Sequence, residues 1–218
     1  MKGMIYIKME KIINQFILKE GYRKIGVAFG ISVVLFLFGF SFFAKVGGLV
    51  TLAFLWIYRN NQKISKNPAN LPNTIYAPID GKIASIDTVD GVQKVYIDTN
   101  LCKNHILRSP IDGLFKIDFL VNGLNLSSWA YKSKGLNNRA TISFQDANDE
   151  LIKVNLISGF CGTQIILYED NKQVTTREPI GIFIQGTLVI EVPKTYQIIA
   201  NIGDKMSSGI SVIAGKIE

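Results

Sequence analysis

Hydrophobic and polar positions divide this chain into an apolar N-terminal part and a strand-rich remainder. Residues 25–44 form a run of twenty residues without a formal charge, and after Lys45 residues 46–58 add thirteen more. At a rise of about 1.5 Å per residue, twenty helical residues match a hydrocarbon core of about 30 Å. The pattern therefore predicts a transmembrane hairpin over residues 24–58, and it leaves open whether the shorter second run spans the bilayer fully.

The residues on either side of the predicted hairpin indicate how the chain is oriented in the membrane. Residues 1–23 have an amphipathic pattern, which indicates either a basic helix lying on anionic lipid or a helix packed on the body of the protein. The second apolar run favours a retained anchor over a cleaved signal peptide. Basic residues on both flanks predict that the rest of the chain lies on the cytoplasmic face of a cell membrane, the bacterial inner membrane. These residues are Lys2, Lys8, Lys11, Lys19, Arg23, Lys24, Arg59, Lys63 and Lys66.

The hydrophobic period changes after a polar linker over residues 59–74. From Ile75 onward, short runs with β-type alternation are separated by turn signals such as Asp90-Gly91. With no long helical period, residues 75–218 predict a mostly β domain with a compact sandwich-like or barrel-like sheet. The predicted strands are 82–87, 94–98, 114–121, 140–145, 151–157, 163–169, 180–184 and 187–192.

Composition narrows the classes of partner. The chain has 218 residues, 48% of them hydrophobic, and a formal net charge of +7. Because the apolar content is concentrated at one end, the basic charge favours a membrane partner over nucleic acid. Cys102 and Cys161 lack metal-ligand spacing, so we expect free thiols in a reducing compartment and no metal site.

One short motif occurs twice in the β region. Pro78-Ile79-Asp80-Gly81 and Pro110-Ile111-Asp112-Gly113 lie 32 residues apart. Turn chemistry alone explains such a repeat, because proline restricts one backbone angle and glycine permits another. Together with the turn at 203–209, the repeat also resembles the turns of biotinyl/lipoyl-type sandwiches.

The single histidine, His105, lies five residues before the second motif. A lone histidine is more often structural than catalytic, but with Asp80 it could form a carboxylate-oriented imidazole that acts as a general base. Such a pair needs a hydroxyl or thiol partner, and the sequence does not choose among the candidate hydroxyls. They are Ser109, Ser158, Thr163 and Thr187.

Several motifs, in order and spacing, resemble one known family. The matching segments are Ala77–Ile83 (Ser-Pro-Ala-Asp-Gly-Lys-Val in the family), His105–Gly113 (His-Val-Asn-Arg-x-Pro-x-x-Gly), Asn137–Arg139 (Asn-Glu-Arg), Ile157–Gly159 (Ile-Ala-Gly) and Ile180–Thr187 (Gly-x-Ile-x-Phe-Gly-Ser). Residues 76–215 thus resemble the phosphatidylserine decarboxylase family in its short, membrane-anchored form.

The resemblance implies a lyase that converts phosphatidylserine to phosphatidylethanolamine. The chain would cut itself between Gly186 and Thr187, and the new N-terminal residue would become a ketoacyl group of the pyruvoyl type, the only cofactor expected. This group would form a Schiff base with the substrate amine and accept electrons as CO₂ leaves. His105 would be the base and Asp80 would fix its tautomer.

The same resemblance assigns Asn137 and Arg139 to substrate binding. Thr187 stands where the family has serine, so elimination would yield a 2-oxobutanoyl group. Two other functions stay open: a non-catalytic paralogue that binds lipid or a partner, and a biotinyl-like, membrane-associated interaction module. We expect a homo-oligomer, or a heterodimer of the chain's own two fragments if it is cleaved. Cleavage would distinguish the enzyme from the alternatives.

Overall fold

A computed structural model describes residues 17–59, 71, 73–127, 133–147, 149–160, 162 and 164–217. The chain divides into two compact units, Met1–Lys63 and Ile64–Glu218. Most of the predicted amphipathic segment (residues 1–16) and most of the predicted linker (residues 60–70 and Pro72) lie outside the described residues.

The first unit is a helical hairpin. After a 3₁₀ turn at Lys19–Gly21, helix α1 runs over Tyr22–Leu37 and helix α2 over Ser41–Ile57. The Ser32 hydroxyl donates a hydrogen bond of 2.7 Å to the carbonyl of Ala44, which joins the two helices. The base of the hairpin is closed by the Leu18 amide, which donates to the carbonyl of Tyr58 at 2.8 Å.

The prediction of a transmembrane hairpin over residues 24–58 is not supported. The uncharged run 25–44 does not form one helix, because Gly39 adopts a φ of +81° and ends α1. The resulting helices have 16 and 17 residues. Within the part of the chain that the structure describes, no helix combines the length and the apolar composition needed to cross a membrane.

The second unit is built from fourteen strands in the described residues and one short helix, α3 (Ser133–Leu136). The strands are β1 (Thr74–Tyr76), β2 (Gly81–Val89), β3 (Val92–Thr99), β4 (Ile106–Arg108), β5 (Gly113–Val121), β6 (Arg139–Gln145), β7 (Leu151–Ser158), β8 (Ile166–Leu167), β9 (Lys172–Val174), β10 (Pro179–Ile182), β11 (Gly186–Val192), β12 (Tyr196–Ile198), β13 (Lys205–Met206) and β14 (Val212–Lys216). The prediction of a mostly β domain is confirmed.

Three sheets make up this unit. The largest has eight strands in the order β13-β2-β3-β11-β7-β6-β5-β9, and two three-stranded sheets have the orders β1-β14-β12 and β4-β10-β8. The buried apolar side chains of all three sheets form one core, with Ile83, Val95 and Ile97 from the β2–β3 hairpin among its members. The more specific assignment to a sandwich or barrel with biotinyl-like turns stays a prediction.

The β2–β3 hairpin shows how local sequence directs this sheet. Asp90 and Gly91 occupy the two central turn positions with φ values of +53° and +75°. Positive φ at both positions is typical of the type I′ turn, whose twist matches that of paired strands. The turn predicted at Asp90-Gly91 is therefore confirmed, and it sets the register in which Asp98 of β3 pairs with Lys82 of β2.

Candidate active site

One face of the eight-stranded sheet carries a groove of about 900 Å³. Gly186 and Thr187, at the start of β11, lie in its wall, together with Arg139 of β6 and Asp98 of β3. The structure thus brings together the predicted cleavage site and both predicted substrate-binding residues, since Asn137 also lines the groove. The strands that carry these residues are far apart in the sequence. The sheet brings them together because β11 lies between β3 and β7 in its centre.

Thr187 lies in a row of side chains across the sheet that includes three charged residues. Thr187 pairs with Asp98 on one side and with Ile157 on the other. The row continues from Asp98 to Lys82 and from Ile157 to Arg139. Directly opposed residues of antiparallel strands point to the same face, and strands lie about 4.8 Å apart. Lys82 and Arg139 therefore lie on the face of Thr187, each about 10 Å away along the row.

The Thr187 hydroxyl donates a hydrogen bond to Asp98. The distance between Thr187 Oγ1 and Asp98 Oδ1 is 2.6 Å, at the short end of the range for hydroxyl donors. Asp98 was not singled out by the sequence, because 89 residues separate it from Thr187. The contact depends on the register of β3 against β11, which no local motif shows.

Gly186 is at a position where only glycine fits. Its φ is +143°, and a Cβ atom built on it would lie 2.1 Å from the carbonyl oxygen of Ile157. Real Cβ atoms do not approach an oxygen so closely, and a φ in this range disfavours other residues. The glycine of the predicted cleavage bond is thus required by the backbone itself.

Arg139 lies in the groove next to exposed aromatic side chains. Its guanidinium carbon is 5.4 Å from the centroid of the Phe119 ring, a cation–π arrangement. The Nε of Arg139 has no hydrogen-bond acceptor among the described residues. Phe160, whose side chain is 67% exposed, lines the same groove. The groove therefore offers a cation beside apolar rings, an arrangement suited to an amphipathic anion.

Asn137, the other predicted substrate-binding residue, is engaged with the backbone. Its Oδ1 accepts a hydrogen bond of 2.7 Å from the Leu126 amide, and its Nδ2 donates to the carbonyls of Leu126 and Ser158. The side chain is buried. These bonds hold the loop after β5 against the end of β7, so Asn137 shapes the groove wall, and its role in substrate binding stays a prediction.

His105 lies just before β4 and is almost completely buried, with 1% of its surface exposed. Its carbonyl accepts a hydrogen bond of 2.9 Å from the Phe183 amide. Phe183 precedes Thr187 by four residues, so this bond links His105 to the segment that leads into the cleavage site. The imidazole is not among the groups that line the groove. Its predicted role as the base stays a prediction.

Asp80 accepts a hydrogen bond from a distant backbone amide, and so does Asp112 in the second copy of the motif. The Ser208 amide donates to Asp80 Oδ1 at 2.6 Å, and the Thr176 amide donates to Asp112 Oδ1 at 2.5 Å. In each copy the isoleucine is buried in the core and the glycine begins a long strand. The repeat therefore reflects turn chemistry used twice, whatever further role Asp80 has.

The two aspartates provide a matched pair of variants. We expect Asp80→Ala and Asp112→Ala each to lower the free energy of unfolding by about 1.5–3 kcal/mol, because each removes one hydrogen bond to a charged acceptor. Thermal or denaturant unfolding of the purified chains checks this. A much larger loss at Asp80 would contradict an equivalent structural role. A loss of self-cleavage confined to Asp80→Ala would measure its predicted effect on His105.

The other candidate hydroxyls have structural contacts. Ser109 is buried and its hydroxyl donates 2.6 Å to the carbonyl of Ile111, inside the second motif. Ser158 lies opposite Gly186 in the β7–β11 pair, and its hydroxyl contacts Asn125 Oδ1 at 3.2 Å. Thr163 lies outside the described residues. Of the described candidates, Thr187 is the one whose hydroxyl directly contacts a carboxylate on the groove face.

Arg108 carries a buried charge close to Asp80. Burial lowers the pKa of the Arg108 guanidinium, and the Asp80 carboxylate opposes this shift. The Arg108 Nη1 donates a hydrogen bond of 2.9 Å to the carbonyl of Arg177. The arginine of the His-x-x-Arg segment thus fixes the loop before β10, and through β10 it fixes the approach to the cleavage site.

Within the described ranges, no group of three or more histidine, cysteine, aspartate or glutamate side chains is arranged to hold a metal ion. The groove instead presents a hydroxyl, a carboxylate and an arginine. The sequence profile of one family, described as phosphatidylserine decarboxylase, matches residues 50–215. This match covers most of the chain, including the groove and the Gly186–Thr187 bond.

The chain belongs to the phosphatidylserine decarboxylase family. Individual relatives agree with this assignment. The phosphatidylserine decarboxylase proenzyme of Pelagibacter ubique is 27% identical over 222 residues, which cover 95% of this chain and 100% of the relative. The proenzyme of Cytophaga hutchinsonii is 29% identical over a match that covers 90% of this chain and 96% of the relative. That of Syntrophus aciditrophicus is 28% identical, with 91% and 96% covered.

The predictions that the chain belongs to this family and that the family is one of carboxy-lyases are therefore confirmed. No solved structure matches the chain. The relatives are named proenzymes, a term for a chain that matures by processing, and this is consistent with a self-generated cofactor.

Proposed function

We propose that this chain is a phosphatidylserine decarboxylase that generates its own ketoacyl group and forms phosphatidylethanolamine. The observation that carries the proposal is the position of Gly186-Thr187. A glycine that the backbone requires is followed by a hydroxyl residue that lies in the groove and contacts a carboxylate. Membership of the phosphatidylserine decarboxylase family supports the substrate class.

Self-cleavage requires a nucleophile next to the bond that breaks. Thr187 Oγ1 would attack the carbonyl carbon of Gly186, and the bond from that carbon to the Thr187 nitrogen would break, leaving an ester and a free amine. Elimination would then release the Gly186 carboxylate, and hydrolysis would release ammonia. The resulting 2-oxobutanoyl group on residue 187 would supply the electron sink for Schiff-base decarboxylation of an amino acid headgroup.

The residues present fit such a group. It would arise from Thr187 itself, in the wall of the groove. Arg139, two strands from Thr187, would bind the phosphate of a serine phospholipid by charge and hydrogen bonds. The exposed rings of Phe119 and Phe160 would contact the apolar part of the same molecule. Substrate binding by Arg139 rests on this arrangement.

The two fragments would remain together after cleavage. The fragment that begins at residue 187 supplies β11, which pairs with β3 and β7, and it also supplies β14, which pairs with β1. These strands pair with strands of the larger fragment. Their separation would expose core residues such as Leu188 and Ile190, both fully buried. We therefore infer a heterodimer of the chain's own fragments.

The test of the proposed function combines chain mass with product analysis. Purified full-length protein should yield two fragments, 1–186 and 187–218, and vesicles containing phosphatidylserine should accumulate phosphatidylethanolamine and CO₂. The small fragment should resist Edman degradation, because its N-terminal residue has no free amine. Its mass should match a 2-oxobutanoyl group. An uncut chain without decarboxylation would reject the proposal and favour the non-catalytic paralogue.

We further propose that the helical hairpin attaches the chain to the cytoplasmic face of a membrane. Most large apolar side chains of α1 and α2 are exposed, including Phe36, Phe42 and Phe43 at 66%, 72% and 59%. Monomeric soluble proteins rarely expose contiguous apolar surface on this scale, and such surface marks membrane or protein contacts. Basic residues near the base of the hairpin, such as Arg23 and Lys24, favour anionic lipid.

Membrane attachment predicts a specific loss of binding. In the full-length chain, replacement of Phe36, Phe42 and Phe43 by glutamine should reduce co-sedimentation with anionic vesicles by at least about tenfold per residue. Burial of one phenylalanine contributes about 1.5–3 kcal/mol, and 1.4 kcal/mol is a factor of ten. The control is Ile199→Gln, an exposed apolar residue of the second unit. Equal binding of the triple variant and the control would contradict hairpin attachment.

A further inference from the structure

The contact between Thr187 and Asp98 is the closest polar contact of the proposed nucleophile. The two residues are directly opposed in the β3–β11 pair, and their oxygens are 2.6 Å apart. A general base must lie within about 2.6–3.2 Å of the proton that it removes. The Asp98 carboxylate meets this criterion in the described structure, before any rearrangement.

Two neighbouring polar groups of the groove, Lys94 and Thr141, have other partners. Lys94 forms an ion pair of 3.0 Å with Glu191, and the hydrogen bond to Glu191 raises the pKa of the Lys94 ammonium. The Thr141 hydroxyl donates to Asn155 Oδ1 at 2.8 Å. The imidazole of His105 is buried and is not part of the groove wall. The geometry at Thr187 Oγ1 therefore favours a carboxylate as the group that first receives its proton.

We propose that Asp98 is a catalytic residue of self-cleavage, the acceptor of the Thr187 hydroxyl proton; this rests on the proposed function. The proton passes from Thr187 Oγ1 to the Asp98 carboxylate as Oγ1 bonds to the carbonyl carbon of Gly186. When the bond between that carbon and the Thr187 nitrogen breaks, the nitrogen takes up the proton and becomes a free amine. The carboxylate is then regenerated.

The position of the pair in the sheet explains how the geometry is held. Thr187 is flanked by β3 and β7, whose ladders fix its backbone on both sides. A threonine has a stiff χ1, because two heavy atoms on Cβ leave few allowed rotamers. The Asp98 contact selects a rotamer in which the hydroxyl points along the row toward β3. Loss of the carboxylate should therefore affect cleavage even if the fold is unchanged.

The experiment compares the cleavage rates of full-length variants after expression and purification. Asp98→Asn keeps the size of the side chain but removes the base, and we expect cleavage to slow by about 10²–10⁴-fold. Asp98→Ala should cleave slowly in chloride buffer and faster when formate is added, because formate can occupy the place of the lost carboxylate. Such rescue would not follow from a merely structural role.

A matched control is Asp118→Asn. The Asp118 carboxylate also accepts a hydrogen bond from a side-chain hydroxyl on this sheet, at 3.0 Å from Ser143 Oγ. It lies away from Gly186, so this variant should cleave at the rate of the unaltered chain. Its melting temperature reports what the loss of one such carboxylate does to the fold.

The possible outcomes bear on different parts of the proposal. If the unaltered chain does not cleave, the proposed function fails first. If it cleaves and Asp98→Asn cleaves equally fast, the assignment of Asp98 is overturned while the proposed function stands. If Asp98→Asn stays uncut but formate does not rescue Asp98→Ala, Asp98 only positions Thr187, and its assignment as proton acceptor is overturned. If His105→Gln stays uncut while Asp98→Asn is processed, the base is His105.

Discussion

Thr187→Ala should leave the chain uncut at its full length of 218 residues, whereas the unaltered chain should yield fragments 1–186 and 187–218. Alanine has no hydroxyl, so the attack on the Gly186 carbonyl has no nucleophile and no ester can form. Decarboxylation should fall to background in the same variant, since no ketoacyl group arises. Intact-mass spectrometry and a CO₂ release assay measure the two effects.

Thr187→Ser and Thr141→Ala are the informative companions of this variant. Serine keeps the hydroxyl and removes the β-methyl group that stiffens χ1 and crowds the attack, so Thr187→Ser should cleave at least as fast as the unaltered chain and should yield a pyruvoyl group. Thr141 presents a hydroxyl to the same groove from β6. Its alanine variant should still cleave. Cleavage of Thr187→Ala at the same bond would contradict the assignment of the nucleophile.

The longer strands of the β domain could be predicted from the sequence because their signals are local. Period-two alternation and the Asp90-Gly91 turn lie within a few residues of each other, and the β2–β3 hairpin follows from them. Short strands such as β1 and β13, of three and two residues, carry no such period. They form because distant partners, β14 and β2, offer paired edges, which only the tertiary structure shows.

For the helical hairpin, the sequence predicted a helix that is too long. Counting uncharged residues predicted one crossing helix over 25–44, but a run without charge does not specify a continuous helix. Gly39 occupies a backbone conformation that ends α1 after Leu37. A glycine at a helix C-terminus is a recognisable stop signal, and giving it weight would have shortened the predicted helix.

The residues of the candidate site also differ in whether the sequence alone predicts them. Gly186, Thr187 and Arg139 were found because they lie in short segments that resemble the phosphatidylserine decarboxylase family. Asp98 lies in no such segment and reaches Thr187 only through the pairing of β3 with β11. Asn137 was assigned to substrate from its motif, whereas its side chain binds backbone groups of Leu126 and Ser158. Motif order locates a site, but only strand register shows which side chains contact each other there.

Gly186→Ala should abolish cleavage and also destabilise the β domain. The new methyl group would lie 2.1 Å from the carbonyl oxygen of Ile157, and alanine is strained at a φ of +143°. Backbone strain alone contributes about 1–3 kcal/mol, and relief of the overlap must shift β11 away from β7. We expect a loss of at least about 3 kcal/mol in the free energy of unfolding. To exclude effects of cleavage, stability is compared in the uncut Thr187→Ala background.

Gly135→Ala is the control for this substitution. Gly135 lies in α3, and a Cβ atom there would have no neighbour within 4 Å. Alanine has the higher helix propensity, so this variant should be as stable as the parent or slightly more stable. If Gly186→Ala melted like Gly135→Ala, β11 would be free to move, and the register that brings Thr187 to Asp98 would not be fixed. A large difference would show that one strand position determines both the fold and the reactive geometry.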